Sequence, residues 1–472
     1  MDATNTDIQW AARQFMDGRQ REYGIYHDYV SGKQPIRFAT GRFEDAFGQQ
    51  FEKFAYNRTD SIVEAISDRL KVIGFDSTGH ANAATIAQRI WDQNSLDYHE
   101  DDIETECLTS GDAYVIVEQD VRDPTRVHIW PQYAQNIRVR YAADRPGEIE
   151  VAARTWVDGH GSDRRLRLNL YYRNRIEKYR SVNSGEGITL SADTRWEKFQ
   201  PDGDRAWPVK LKVDDTVPVF HFANNARINS YGVSELQPVI PIQDALNKAV
   251  MDLLVGMEFS AFRQRVVLNV DLDDPASEER IDQLEVGMTR LISLVSADAD
   301  FPVGITEFSA TDVRQFVGPI DQFDTMVSRV SKIPVHYLQM ASAPESGEAR
   351  RMAEAPFVAK IERLQTRFGD VISRMMTYAV RLAGDTSLPA GVLETKWKSA
   401  MPLSDRETLD FALARQSLGF PLRSNLKEMG RDVEAIEEIM LEVQEENSRR
   451  VAMFNAGNID ALPSLRAPLT NN

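Results

Sequence analysis

The sequence predicts an α+β fold, and three observations carry that expectation. From Val127 to Phe222 apolar residues alternate with polar ones, the period of half-buried strands. Helical periodicity dominates on both sides of that block. Two amphipathic stretches, from about Ser234 to Phe262 and from about Pro319 to Lys332, bracket a short acidic insert that reads as strands. The chain has 472 residues, 42% hydrophobic and 27% charged, which suits a globular protein of several domains.

Residues 1 to 30 are expected to be helical, with Trp10, Phe15, Tyr23, Tyr26 and Tyr29 as core or subunit contacts. Amphipathic helices are expected over Phe51–Leu70, Ala83–Gln93 and Leu96–Thr109. Gly111 ends the last of these, and Ala113–Glu118 reads as a buried strand. Val127, Ile129, Ile137, Val139, Ile149 and Val151 belong to an antiparallel sheet with turns at 144–147 and 158–161, and Val217–Phe222 is its last strand. Residues 1–232 therefore form one α+β domain.

The next helix carries Leu246, Val250, Leu253, Leu254 and Met257 on one stripe. Ser234 is its candidate cap with Gln237 in the capping-box position, and Pro238 and Pro241 confine the regular helix to a start near Pro241. The insert is expected to hold strands at Gln264–Val270, Thr289–Val295 and Ile305–Phe308 and a short helix at Ser277–Val286. A second helix carries Ile320, Phe323, Val327 and Val330 and is stopped by Pro334. A long helix from about Ser346 to Leu382 carries Phe357, Ile361, Leu364, Phe368, Val371, Ile372, Met375 and Val380, with Gly384 as its stop. Then come a strand near Val392–Trp397, a helix capped at Ser404 with Glu407 completing the box, a short helix after Ser424, and a last helix over Asp432–Phe454. Residues from Ala461 on are expected to be disordered.

The formal charge of −17 argues against tight wrapping of nucleic acid, because phosphate affinity comes from clustered Lys and Arg. The single cysteine, Cys107, permits no internal disulfide and fits a reducing compartment. The opening residues do not read as a signal peptide, and no run of 18 apolar residues predicts a membrane span. There is no HExxH, no Cys/His zinc spacing, no phosphate loop and no GxSxG elbow among residues that include only seven histidines. No enzyme, cofactor or metal site is expected.

Three charged clusters remain. Asp97, His99, Glu100, Asp101, Asp102, Glu104 and Glu106 could hold a divalent metal, but successive helical positions diverge, so a solvated helix face is the expectation. Arg164, Arg165, Arg167, Arg173, Arg175, Lys178 and Arg180, interleaved with Tyr171, Tyr172 and Tyr179, could hold single-stranded nucleic acid; a strand pair with a basic face toward a neighbouring subunit is the expectation. In the insert, Asp271, Asp273, Asp274, Glu278, Glu279, Asp282 and Glu285 crowd around Arg280; they suit equally the solubility of an exposed tip and a docking surface for a partner protein, and both can hold at once.

Two long helices flanking a small head suit a ring of copies better than a single-copy enzyme. Tyr231-Gly232-Val233-Ser234-Glu235-Leu236, Ile333-Pro334, Ser346-Gly347-Glu348-Ala349, and Trp397 followed by Pro402 and a helix from Asp405 occur in that order. In these residues the chain resembles the portal proteins of tailed bacteriophages, of the siphophage type. The resemblance implies a wing (1–232), a stem helix (233–262), a clip (263–310), a second stem helix (311–333), a tunnel loop (334–346), a long spine helix (347–384), and a crown with a disordered tail (385–472). It implies a ring of about twelve copies at one capsid vertex of the virion, assembled in the host cytoplasm. Double-stranded DNA would pass through the centre, with Gln339, Met340, Ala341, Ser342, Ala343, Pro344 and Glu345 facing it. The clip would dock the terminase large subunit and a head-completion or adaptor protein, and major capsid and scaffolding proteins would be further partners. A metal-dependent DNA-processing enzyme built on the acids at 97–106, or another minor capsid protein, is the alternative.

Overall fold

The computed structural model describes residues 3–35, 37, 56–120, 123, 125–204, 206–261, 265–268, 291–294, 304–307, 314–339, 347–385, 388–401, 405–428 and 433–455. Two helices open the chain, α1 (Ala3–Phe15) and α2 (Gly18–Val30). Asp17 caps α2 by accepting the Arg19 N–H at 3.1 Å. Helix α3 (Thr59–Ser67) is shorter than the helix expected over Phe51–Leu70. Asn57 takes the Thr59 N–H at 3.0 Å, and the N–H groups of Tyr56 and Arg58 go to the side chains of Asn247 and Gln243 at 3.1 and 3.0 Å. Those residues spend their donors across the fold instead of up a helix.

Strand β1 (Val72–Ser77), α4 (Ala81–Gln93) and α5 (Leu96–Ser110) follow. Next come β2 (Asp112–Gln119), β3 (Val127–Tyr133), β4 (Ile137–Tyr141), β5 (Ile149–Asp158), β6 (Arg165–Tyr171), β7 (Arg175–Ser181), β8 (Trp196–Lys198), β9 (Val209–Lys210) and β10 (Val219–Ala223). The period-two block thus divides into two antiparallel sheets. One has the order β10-β2-β3; the other has the order β4-β5-β6-β7-β8, with β9 also paired to β7. Their cores meet α2 and α1: Tyr23 packs with Tyr114, Ile116, Ile137 and Val139, and Phe15 with Ala153, Leu168, Leu170 and Tyr179. The outer edge of β3 is closed locally. Asn94 accepts the Ile129 N–H at 3.0 Å and donates to the Val127 carbonyl at 3.0 Å, and the next residue of that parity, Pro131, has no N–H to offer.

Helix α6 (Ile240–Ala261) starts one residue before Pro241. Strands β11 (Arg265–Leu268), β12 (Leu291–Leu294) and β13 (Gly304–Glu307) form a sheet of order β12-β11-β13, parallel on one side of β11 and antiparallel on the other. Helix α7 (Arg314–Ser331) begins five residues before Pro319 and carries that proline inside. Helix α8 (Gly347–Ala383) is 37 residues long, and β14 (Leu393–Trp397) pairs with β1. That pairing accounts for β1, which has only Val72 buried and so lacks an alternation signal. One compact unit ends at Trp397.

The second unit, from Lys398, contains α9 (Asp405–Ser417), α10 (Leu422–Glu428) and α11 (Val433–Asn455). Arg415 bonds Asn425 at 3.0 Å and lies 4.5 Å above the Phe420 ring, fixing the turn between α9 and α10. Ser404 and the tail from Ala461 lie outside the described residues, as does the helix expected over Ser277–Val286. Among the described residues no helix is long and apolar enough to cross a membrane, and no metal-binding cluster occurs.

Candidate functional site

The chain leaves the β-sheets for α6 at Tyr231–Leu236, and every residue of that run has an assigned contact or a buried position. Tyr231 bonds both the N–H and the carbonyl of Val139 and carries Arg19 4.2 Å over its ring. Gly232 donates its N–H to Asp112 at 2.6 Å. The Val233 N–H goes to Asn224 at 2.8 Å, the Ser234 hydroxyl to the Thr109 carbonyl, and the Glu235 N–H to the Leu108 carbonyl at 3.0 Å. Leu236 is fully buried. Ser234 does not cap α6: its oxygen accepts from Leu236 and shapes the turn before the helix. A Cβ on Gly232 would stand 1.9 Å from the Gly111 carbonyl, and one on Gly111 would stand 2.8 Å from the Ser234 nitrogen. Gly111 also has φ 90° as the C-cap of α5. Two backbones touch here, which is why both positions require glycine.

Asp112 is completely buried and joins α2 and β10 to this crossing. It receives hydrogen bonds from Tyr23 at 2.6 Å, His221 Nε2 at 2.7 Å and Gly232 at 2.6 Å. Burial pushes its carboxyl up, but those bonds outweigh burial and hold it below the usual carboxylate range. With His221 donating from Nε2, its Nδ1 accepts the Tyr141 hydroxyl at 2.7 Å.

One buried ammonium then ties these helices together. Lys360, on α8, donates to Glu235 at 2.7 Å and to the Ser331 carbonyl at 2.9 Å. The first partner precedes α6 and the second ends α7, so Lys360 also caps α7. Glu235 is completed by Asn224 and Asn225, each at 3.1 Å. Burial lowers the Lys360 pKa, against the pull of Glu235. Lys332, at φ 62°, turns the chain out of α7 toward buried Ile333 and Pro334. The motif residues beside α6 and α7, far apart in sequence, thus converge on one joint.

Helices α6 and α7 pack against each other, and Leu246, Met251 and Val327 on them are fully buried. Other apolar residues turn outward: Leu254 and Met257 on α6, and Val317, Met326 and Val330 on α7. Beyond Pro334 a single 3₁₀ turn, Val335–Tyr337, leads to the loop, with Leu338 buried beneath it. Of the residues expected to face DNA, Gln339 is half-buried and donates to the Asp321 carbonyl at 3.2 Å; Met340 to Glu345 lie outside the described residues. Asp271, Asp273, Asp274, Glu278, Glu279, Asp282 and Glu285 lie outside them as well.

Of the acids at 97–106, Asp97, Asp101 and Asp102 lie on the solvated face that the sequence suggests, with Ile103, Cys107 and Leu108 turned inward, but the three glutamates do not. Glu100, Glu104 and Glu106 are buried, because positions 100, 104 and 107 share the inner face of α5 with Ile103. Glu100 pairs with Lys71 and accepts the Val72 N–H at 3.2 Å. Glu106 binds His27 at 3.1 Å and accepts from Ser110 and the Ala134 N–H. Neither oxygen of Glu104 has a hydrogen-bond partner, and burial drives its pKa well up. The basic run forms the expected strand pair, β6 and β7, and its charges find acids in the same chain. Arg167 meets Asp158 at 2.7 Å, Arg173 Glu148 at 2.5 Å, Arg175 Glu177 at 2.7 Å, Lys178 Asp204 at 2.8 Å and Arg180 Glu197 at 2.5 Å. Apart from Glu177, which lies in β7 itself, the acids come from other strands and turns, so the run alone could not reveal them.

The chain is similar to curated proteins described as portal proteins. It is 24% identical over 351 residues to that of Mycobacterium phage L5, covering 71% of this chain and 67% of the relative. It is 24% identical over 420 residues to that of Mycobacterium phage D29, covering 85% and 81%. Among solved structures, the neck of an empty gene transfer agent particle computed with C6 symmetry matches 79% of this chain and 90% of that one, at 13% identity and a TM-score of 0.46. The family model described as phage portal protein, SPP1 Gp6-like, matches residues 52–449, and the chain belongs to that family of structural, non-enzymatic proteins.

Proposed function

We propose that this portal chain closes into a ring of about twelve copies at one capsid vertex and that double-stranded DNA passes through its centre during packaging and ejection. The observation that carries this reading is the apolar surface left on a paired helix. Leu254 and Met257 on one helix of the hairpin, and Met326 and Val330, one turn apart on the other, are exposed in a single subunit. Two different patches on one hairpin suit a head-to-tail contact, which generates a ring when its rotation closes. The stem then forms the tube, and the loop that leaves Leu338 carries Gln339 to Glu345 into the lumen. That loop has no Lys or Arg, so DNA meets a surface without phosphate-gripping charge.

In the same reading the strands at 265–268, 291–294 and 304–307 form the clip, whose acids at 271–285 dock the terminase large subunit and later a head-completion or adaptor protein. The crown is the helical unit from Lys398. Capsid and scaffolding proteins are the remaining partners, and the assembled ring belongs to the virion.

Sedimentation of the parent protein and of Leu254→Asp with Met326→Asp tests the ring. Rings with the parent and monomers with the variant are expected, since an aspartate in a closed apolar contact is an unpaired buried charge. A stable monomer for the parent at micromolar concentration would sink the proposal. Deleting residues 339–343 should leave rings intact and impair packaging or retention of DNA; normal packaging and retention would remove the loop from the lumen. Reversing Asp273, Asp274, Glu278 and Glu279 to lysine should slow motor association at low salt, and unchanged association would place docking elsewhere.

A further inference from the structure

Both ends of the nine-residue helix α3 carry an arginine onto the stem and its loop. Before the helix, Arg58 grips Asp324 in the middle of α7 with two parallel bonds of 2.9 Å, and Asp324 is almost completely buried. The same residue gives its N–H to Gln243 of α6 at 3.0 Å. Beyond the other end of the helix, Arg69 donates to the Tyr337 hydroxyl and stands 4.0 Å from the Glu354 carboxylate of α8. Glu354 in turn meets His336 at 3.5 Å. The Tyr337 ring leans on Phe357, and the Arg69 guanidinium lies 5.9 Å from that same ring. Between the two arginines, Ile62, Val63 and Ile66 are buried, so the helix cannot slide without opening the core.

We propose that α3 is a strut: Arg58 and Arg69 are positioning residues that hold the root of the 335–339 segment at a set distance from the middle of the second stem helix. The geometry suits the task. A nine-residue helix spans about 13 Å and does not shorten, whereas the direct route from Asp324 to Tyr337 passes through the left-handed Lys332 and a proline. The strut rests on wing residues, so a displacement of the wing against the spine reaches the loop root through Arg69. The meaning of this for DNA rests on the tunnel-loop reading above; the strut itself does not.

Hydrogen exchange on the intact protein tests it. The Leu338 and Gln339 amides bond to the Val335 carbonyl at 2.9 and 3.0 Å and report the loop root. Arg58→Ala and Arg69→Ala should each raise their exchange about tenfold, while amides of β5 and β6 are unchanged. Tyr337→Phe removes one oxygen and no packing, so it decides the matter even if Arg69→Ala fails to fold. It should reproduce the Arg69→Ala effect, and the double variant should add nothing. Unchanged exchange in Tyr337→Phe, or a response from one end of α3 only, overturns the strut. Faster exchange at the loop root with normal DNA retention keeps the strut and removes the tunnel reading.

Discussion

The joint around Lys360 and the β6–β7 hairpin are both rich in charge, and they use it in opposite ways. At the joint, Asp112, Glu235 and Lys360 are buried, each with two or more partners drawn from elements distant in sequence. On the hairpin, arginines pair with single acids at partly exposed positions such as Arg180 with Glu197. Desolvation makes the first set expensive to disturb, and solvent screening makes the second set cheap. Of these two regions, the dense basic run therefore marks the less consequential one, and the dispersed charges of the joint mark the more consequential one.

Four substitutions sharpen or break that comparison. Gly232→Ala should have the largest effect, because its Cβ would stand 1.9 Å from a backbone oxygen that cannot rotate away. A loss of more than about 4 kcal/mol, read as failure to give soluble protein, is expected. Lys360→Met comes next. It strands Glu235 and the Ser331 carbonyl, at about 3–5 kcal/mol in chemical denaturation. Adding Glu235→Gln should recover much of the loss, and a purely additive double variant would mean that the pair is not the coupled unit described here.

Glu104→Gln should act in the opposite direction. The folded-state pKa of Glu104 is raised by burial, so its stabilising neutral form is fully present below the unfolded pKa and is lost as pH rises through the folded one. The variant should be more stable than the parent by about 1–3 kcal/mol at alkaline pH, with the difference closing toward pH 4. A difference that does not change with pH would assign Glu104 an unseen partner. Arg180→Ala should be the smallest, below about 1 kcal/mol and smaller still in high salt. A loss comparable to that of Lys360→Met would end the contrast between the two regions.

Several of these features were legible in the chain. Helical stripes located α6, α7 and α8 to within a few residues, since Leu246, Val327 and Phe357 recur on faces that become buried. Pro334 marks the end of α7, and alternation marks β4 to β7. Glu104 was misplaced for an instructive reason: a run of acids reads as a wet surface unless the packing on the inner face of α5 is known. The start of α7 was set too late because Pro319 suits a first turn, yet the helix accommodates it further in.

The sequence by itself determined the α+β class, the order of helix, insert, second helix and long helix, and the residues whose arrangement resembles a phage portal, because period, turn chemistry and motif order are local properties. Only the tertiary structure decided which charges are buried, that Gly111 meets Gly232, that Lys360 binds the approach to α6 and the end of α7, and that β1 exists as the partner of β14. Each of those facts depends on two segments separated by many residues arriving at one place, and no single stretch of chain encodes where the other will be.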